Sequence, residues 1–287
     1  MMTAYIPSPA KGILHLGPIP LHAYGLCLAI GVLVAASVAE RRWEAKGGRP
    51  GVIGEIGVAV VISGVIGARV YHLFTGYNWD QGGIAGTLKI WQGGLSIWGA
   101  VGGGVIALLV EAHRKHLAKG MLLDAVAPGV VLAQAIGRWG NYFNQELFGR
   151  PTKLPWGLEI DVAHRPAQYL AYKTFQPTFL YESLWCLAVF GVLMWLEHRF
   201  RTRPGQTFAL YVALYTFGRF FFELMRSDPA TRVLGVRFNA LLSAALCVIA
   251  TVWFVALARR ATSVEPSIAM SDEDHTVDEP DLGAPAS

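Results

Sequence analysis

Seven apolar stretches, at about residues 20–39, 52–74, 93–110, 121–136, 178–197, 206–226 and 239–258, constrain this chain more than any other feature. A helix crosses a hydrocarbon core in about 20 apolar residues. Only a helix satisfies its own backbone there, so each stretch reads as a spanning helix. The fourth is short for a full crossing and is expected to extend into residues 137–139. Composition agrees, since 15% of the 287 residues are charged where a soluble domain carries about 25%. The first stretch lacks a charged leader and a small-residue cleavage site, so it is expected to be retained. The expectation is an all-α polytopic membrane protein with seven transmembrane helices and an outward-facing loop region, spanning residues 1–260.

Loop charges orient the bundle. Arg41, Arg42, Lys46 and Arg49 follow the first span, Arg114, Lys115 and Lys119 the third, Arg199, Arg201 and Arg203 the fifth, and Arg259 and Arg260 the seventh. The opposite loop 75–92 holds only Lys89, and the N-terminal segment only Lys11. By the positive-inside rule the N-terminus is outside and the C-terminus cytoplasmic. The long outer connection 137–177 nevertheless holds five basic residues, which function explains better than topology.

Residues 261–287 form a tail of different character. Seven acidic and no basic residues lie between Glu265 and Asp281, so the rest of the chain has 24 basic against 13 acidic residues. Such a tail cannot bury a core and is expected to be disordered and cytoplasmic. The excess positive charge is dispersed between apolar spans, which fits anionic lipid contact and excludes nucleic-acid binding. Cys27, Cys186 and Cys247 share no metal-ligand spacing and read as packing residues. The glycine-rich run 93–104 lacks the preceding strand and the Lys-Ser/Thr ending of a phosphate loop; close helix packing accounts for it.

With this orientation, polar residues from six spans reach one depth. Tyr24 is at the outer end of span one, Arg69 and Tyr71 of span two, and Ser96 and Trp98 of span three. Arg138, Asn141 and Glu146 follow span four, Glu182 begins span five, and Arg219 and Glu223 fall in the outer half of span six. Charged groups at membrane depth are costly and mark functional sites. Tyr215, Arg219 and Glu223 are four apart and share a helix face, where Arg219 and Glu223 pair. Arg226 lies near the interface, where a long cation simply snorkels. Asp124, at a cytoplasmic span end, reads as a helix cap. Arg138 and Arg219 on separate helices suit a bidentate grip on a phosphodiester, with Asn141, Asn144 and Tyr24 placed for hydroxyls. Cations beside a phosphate also make it a better leaving group.

At these residues the chain resembles the bacterial prolipoprotein diacylglyceryl transferases. The family's Gly-Arg-x-Gly-Asn-Phe-x-Asn-x-Glu-x-x-Gly appears as Gly137 to Gly149, with Tyr142 for the usual Phe. Tyr24-Gly25, Gly67-Ala68-Arg69, Pro177 to Glu182 and Tyr215 to Glu223 are similar to further family segments, in the family's order. The resemblance implies an enzyme of the bacterial cytoplasmic membrane that needs no metal or other cofactor. It would move diacylglyceryl from phosphatidylglycerol to the lipobox cysteine of a prelipoprotein signal peptide, forming a thioether and glycerol phosphate. It further implies a catalytic set of Arg138, Arg219, Glu146, Glu223 and Tyr24. The implied substrate-contacting set is Arg138, Asn141, Asn144, Gly149, Tyr215 and Arg69.

Two family histidine positions differ here, being Trp98 and Gln176. Tryptophan has no lone pair to take a proton from a thiol. Thiol activation therefore passes to the arginines, assisted by Glu146, Glu223 or Tyr24, with Glu146 alternatively holding Arg138 in place; His22 and His72 are the nearest outer histidines. A transporter would spread polar groups through the full membrane depth, often in repeated halves. A scaffold would not need a clustered Arg-Asn-Glu site.

Overall fold

A computed structural model describes residues 5–9, 12–16, 19–75, 96–228 and 230–259. Among these, seven long helices form the body: α1 (Ala23–Ala45), α2 (Val52–Thr75), α3 (Ile97–Arg114), α4 (Lys119–Phe143), α5 (Thr178–Arg199), α6 (Gln206–Met225) and α7 (Phe238–Arg259). All but α3 are long and apolar enough to cross a bilayer, so six such helices are present. The 18 residues of α3 end in Glu111, His113 and Arg114 and include three consecutive glycines, which dilute its apolar character. The expected tail 261–287 and most of the loop 75–92 lie outside the described residues.

The expectation of an all-helical chain needs one correction. Three two-stranded antiparallel ribbons are present among the described residues: β1 (Ile13–Leu16) with β2 (Ile19–His22), β3 (Leu158–Glu159) with β4 (Thr174–Phe175), and β5 (Arg232–Val233) with β6 (Val236–Arg237). Each lies at or between helix ends. Beneath the 144–177 connection a small separate core forms from Phe148, Leu158, Ile160, Phe175 and Phe179. Burying side chains of this size contributes roughly 1.5–3 kcal/mol each, enough to hold a short loop region against a rigid bundle.

Helix α4 is the centre of the body. Ten of its residues are buried, against four of α1 and three of α7, and it packs on α1, α5 and α6. The outer helices instead present rows of exposed aliphatics, such as Leu33 on α1 and Val248, Ile249 and Val252 on α7. Surfaces this apolar belong against lipid. α2 and α3 pair closely through small residues: a Cβ on Gly103 would meet the Ser63 backbone, and one on Gly67 would lie 3.1 Å from Gly103 Cα. That is the helix-packing account of the described part of the glycine run.

Pro128 sits inside α4 and removes the N–H that would bond the Asp124 carbonyl. Arg42 of α1 takes up that carbonyl, donating from Nη2 at 3.1 Å, and reaches the Ala125 carbonyl from Nε at 3.3 Å. The Asp124 carboxylate is indeed a cap, but for another helix. It accepts from the backbone N–H groups of Gly205 and Phe208, both at 2.8 Å, at the start of α6.

Candidate active site

Helix α4 takes in residues 137–139 as expected and runs on through Phe143, so Asn141 as well as Arg138 is a helical residue and neither follows the helix end. Trp139 and Tyr142, three apart and on one face, pack against Phe179 of α5 with ring centroids 5.4 and 5.0 Å away. This contact sets the register of the two helices. It brings Arg138 to Glu182, one turn beyond Phe179, with Nη2 to Oε2 at 2.8 Å. Tyr215 of α6 is a further neighbour of Arg138.

Glu182 is the junction of the site. The same oxygen that receives Arg138 also receives Arg219 Nη1 from α6 at 3.1 Å. Arg219 in turn pairs with Glu223 at 2.7 Å, as the i,i+4 spacing predicts. Glu223 is fully buried and also accepts from Arg226, at 3.5 Å, and from Arg237, at 2.8 Å. Arg226 does not snorkel: it turns onto Asp228, with Nε to Oδ1 at 2.7 Å. Burial alone would raise the Asp228 carboxyl, but Arg226 and Arg237 outweigh it and hold the group below the ordinary carboxylate range.

One connected network thus joins Arg138, Glu182, Arg219, Glu223, Arg226, Asp228 and Arg237. It holds four guanidiniums and three carboxylates, leaving one formal positive charge. A buried charge surplus is expensive unless an anion completes it. Each guanidinium also carries five N–H donors, more than these carboxylates occupy.

Glu146 belongs to a neighbouring set. It is exposed and does not hold Arg138, a role that falls to Glu182. Its Oε1 accepts from Asn141 Nδ2 at 2.9 Å and from Asn144 Nδ2 at 3.3 Å. The backbone on both sides is unusual, since Gln145 and Leu147 have φ of 51° and 58°, the left-handed region that side chains disfavour. Specific contacts hold each of them. The Gln145 amide donates to the Asp161 carboxylate at 2.6 Å and accepts from the Asp161 N–H at 2.8 Å. Thr178 at the start of α5 donates to the Leu147 carbonyl. Beside this loop opens a cleft of about 350 Å³, lined by Pro9, Gly12, Asn144, Gln145, Glu146 and His164 among others.

The remaining sequence candidates divide. Tyr24, the second residue of α1, lays its ring where a Cβ on Gly140 would go, against the helix that carries Arg138. Gly149 donates its N–H to the Gln176 carbonyl at 2.9 Å and bridges Arg226. A Cβ there would sit 2.6 Å from Gln176 Cβ and 3.2 Å from the Met225 carbonyl oxygen, so the position demands glycine for close approach. Arg69 is buried on α2, whose main partner is α3, and the ion pairs linking Arg138 to Arg237 do not include it. Trp98 opens α3 with its side chain partly exposed. The Gln176 side chain accepts from the Tyr181 hydroxyl at 2.9 Å.

Sequence reasoning named Glu182 among the gathered polar residues without its bridging role, and it missed Asp228 and Arg237. Glu182 lies 37 residues before Arg219, and Arg237 lies 14 after Glu223 beyond a turn. No local periodicity announces such pairs.

The model of the prolipoprotein diacylglyceryl transferase family matches residues 11–256. Phosphatidylglycerol–prolipoprotein diacylglyceryl transferase 2 of Streptomyces coelicolor is 49% identical over 268 residues, 92% of this chain and 84% of that protein. Similarly named proteins of Frankia alni and Corynebacterium diphtheriae are 47% and 44% identical. These alignments cover 95% and 91% of this chain, and 72% and 97% of the respective relatives. With a connected arginine–carboxylate cluster at one end of a helical membrane body, and similarity running through nearly all of that body, this chain belongs to the prolipoprotein diacylglyceryl transferase family.

Proposed function

We propose that this protein transfers the diacylglyceryl group of phosphatidylglycerol to the lipobox cysteine of prelipoprotein signal peptides, the first step of lipoprotein maturation. The thiolate sulfur attacks the diacylglyceryl carbon attached to the phosphate oxygen. A carbon–sulfur bond forms, the carbon–oxygen bond breaks, and glycerol phosphate leaves with the bonding electrons. The thiol proton passes to a base and then to solvent or product. No cofactor is required.

The observation that carries this reading is the convergence of Arg138 and Arg219, from α4 and α6, on a single oxygen of Glu182 within a cluster of net positive charge. Two guanidiniums so placed grip one phosphodiester and stabilise the charge that grows as it departs. Asn141, Asn144, Tyr24 and Tyr215 serve the glycerol hydroxyls and the approach of the thiol. Gly149 lets the motif loop close against α6, and Arg69 supports the lipid from α2. Of the three proton acceptors, Glu146 is favoured. Glu223 is buried among three guanidiniums, and a phenol that carries its own proton is a poor acceptor at Tyr24, whereas Glu146 is exposed with only neutral amides on its oxygen. A thiol with a pKa of about 8.5 already yields a few per cent thiolate near neutrality, and nearby cations increase it.

The same reading places seven spans in a bacterial cytoplasmic membrane, α3 included, with the N-terminus outside and the C-terminus in the cytoplasm. The functional domain is residues 1–260, and the acidic residues 261–287 form a cytoplasmic tail. Anionic membrane lipid and signal peptides are the partners, and nucleic acid is not. Incubation of the purified protein with phosphatidylglycerol and a lipobox peptide should add one diacylglyceryl mass to the peptide cysteine. An unmodified cysteine, where a relative's enzyme works under the same conditions, overturns the assignment.

A further inference from the structure

Arg237 stands outside every motif in the sequence, yet it is one of the most buried cations among the described residues. It ends β6, immediately before α7. The β5–β6 ribbon reaches it through a tight turn in which Leu234 and Gly235 both have positive φ, 52° and 79°. That turn reverses the chain after α6 and points Arg237 back at α6. The Arg237 side chain then meets two acids. Nε donates to Glu223 Oε1 at 2.8 Å, Nη1 to the Asp228 carbonyl at 2.7 Å, and Nη2 to Asp228 Oδ2 at 3.1 Å.

The two oxygens of Glu223 are thereby divided. Oε1 takes Arg237, while Oε2 takes Arg219 at 2.7 Å and Arg226 at 3.5 Å. Glu223 has no exposure to solvent, so no water replaces a lost partner. Without Arg237, Oε1 would be a buried carboxylate oxygen lacking its charged donor, an arrangement that is strongly disfavoured. The carboxylate would then rotate toward Arg219 and Arg226 and pull Arg219 from its place beside Arg138. Asp228 prevents the alternative movement by holding Arg237 from its far side while itself fixed by Arg226.

We propose that Arg237 is a positioning residue for the transfer reaction, acting through Glu223 to hold Arg219 at the donor phosphate. This inference rests on the transferase reading above. The test is Arg237→Gln, Arg237→Lys and Asp228→Asn in the full-length protein, assayed in mixed micelles with the mole fraction of phosphatidylglycerol and the concentration of lipobox peptide varied separately. Thermal unfolding in the same detergent measures folding. For Arg237→Gln, kcat/KM for phosphatidylglycerol should fall roughly tenfold to a hundredfold with a raised KM for that lipid. The KM for the peptide should stay near the wild-type value. Arg237→Lys, which keeps the charge but loses the fork, should recover part of the loss, and Asp228→Asn should show a smaller defect of the same pattern. A simple loss of folded protein would lower kcat and leave both KM values unchanged.

Unchanged KM for phosphatidylglycerol in the active variants overturns the inference, as does an equal rise in KM for both substrates. If Arg237→Gln does not survive extraction, the same comparison on Arg237→Lys and Asp228→Asn decides it. Wild-type protein that transfers nothing overturns the transferase reading and this inference together. An active wild type with normal lipid KM in the variants overturns this inference alone.

Discussion

Two buried ionic clusters lie at opposite ends of the same helices, and their difference separates architecture from chemistry. At the end where α1 finishes and α6 begins, Glu197 receives Arg42, Lys46 at 3.3 Å and the Thr207 hydroxyl at 2.7 Å. Asp124 there is consumed by backbone N–H groups, and Arg42 by backbone carbonyls. Arg42 and Lys46 both pair with the one carboxylate Glu197 while Asp124 caps α6, and the partners include the helix ends and the proline gap that need them. At the other end, four arginines face three carboxylates, and the 145–147 loop nearby holds two residues of positive φ. Charge spent on backbone groups is a latch. Arginines rigidly held with donors to spare have the chemistry that suits an anion.

The comparison breaks most visibly at Arg138. Arg138→Gln should lower transfer by about 1000-fold, far more than the accompanying loss of stability explains, because Glu182 retains Arg219; a folded variant with near-normal rate would make the outer cluster another latch. Glu146→Gln should cost about 100-fold in kcat with phosphatidylglycerol affinity preserved. Retained activity there would shift the proton transfer to Tyr24 or to bulk water. At the latch the pattern should invert. Arg42→Gln leaves Glu197 short of its main partner and should cost about 3–5 kcal/mol of stability, read as a lower unfolding temperature, while the folded fraction keeps its turnover per molecule. Gly149→Ala should cost about 1–3 kcal/mol through overpacking and weaken transfer in parallel, because Gln176 and Met225 approach the missing Cβ from fixed backbone. The smallest effect is expected at Trp98. Trp98→Phe should stay within about twofold of wild type, since an indole supplies no proton acceptor, and a large loss would give that position a role in holding substrate.

Much of this was legible before the structure. The seven helices fall where the apolar stretches lie, the i,i+4 pair Arg219–Glu223 forms as spaced, and Arg138, Asn141 and Glu146 lie close together in the chain because one motif carries them. Three things were not. The fourth helix continues through Phe143, because Trp139 and Tyr142 find Phe179 and repay the extension with packing that hydropathy does not score. The cap formed by Asp124 serves α6, because its carboxylate meets the N–H groups of Gly205 and Phe208 across the helix contact. Arg226 faces inward to Asp228, although its position alone suits a snorkelling cation.

The sequence by itself determined that this chain enters a membrane, which residue types gather toward one end, and to which family it belongs. These follow from hydrophobicity and local motif, which are properties of consecutive residues and survive without knowledge of neighbours. Only the tertiary structure decided that Glu182 joins Arg138 to Arg219 and that Arg237 completes Glu223. Such pairings depend on helix register and on the direction of a turn, where a shift of one residue rotates a side chain by about 100° around its helix and away from its partner.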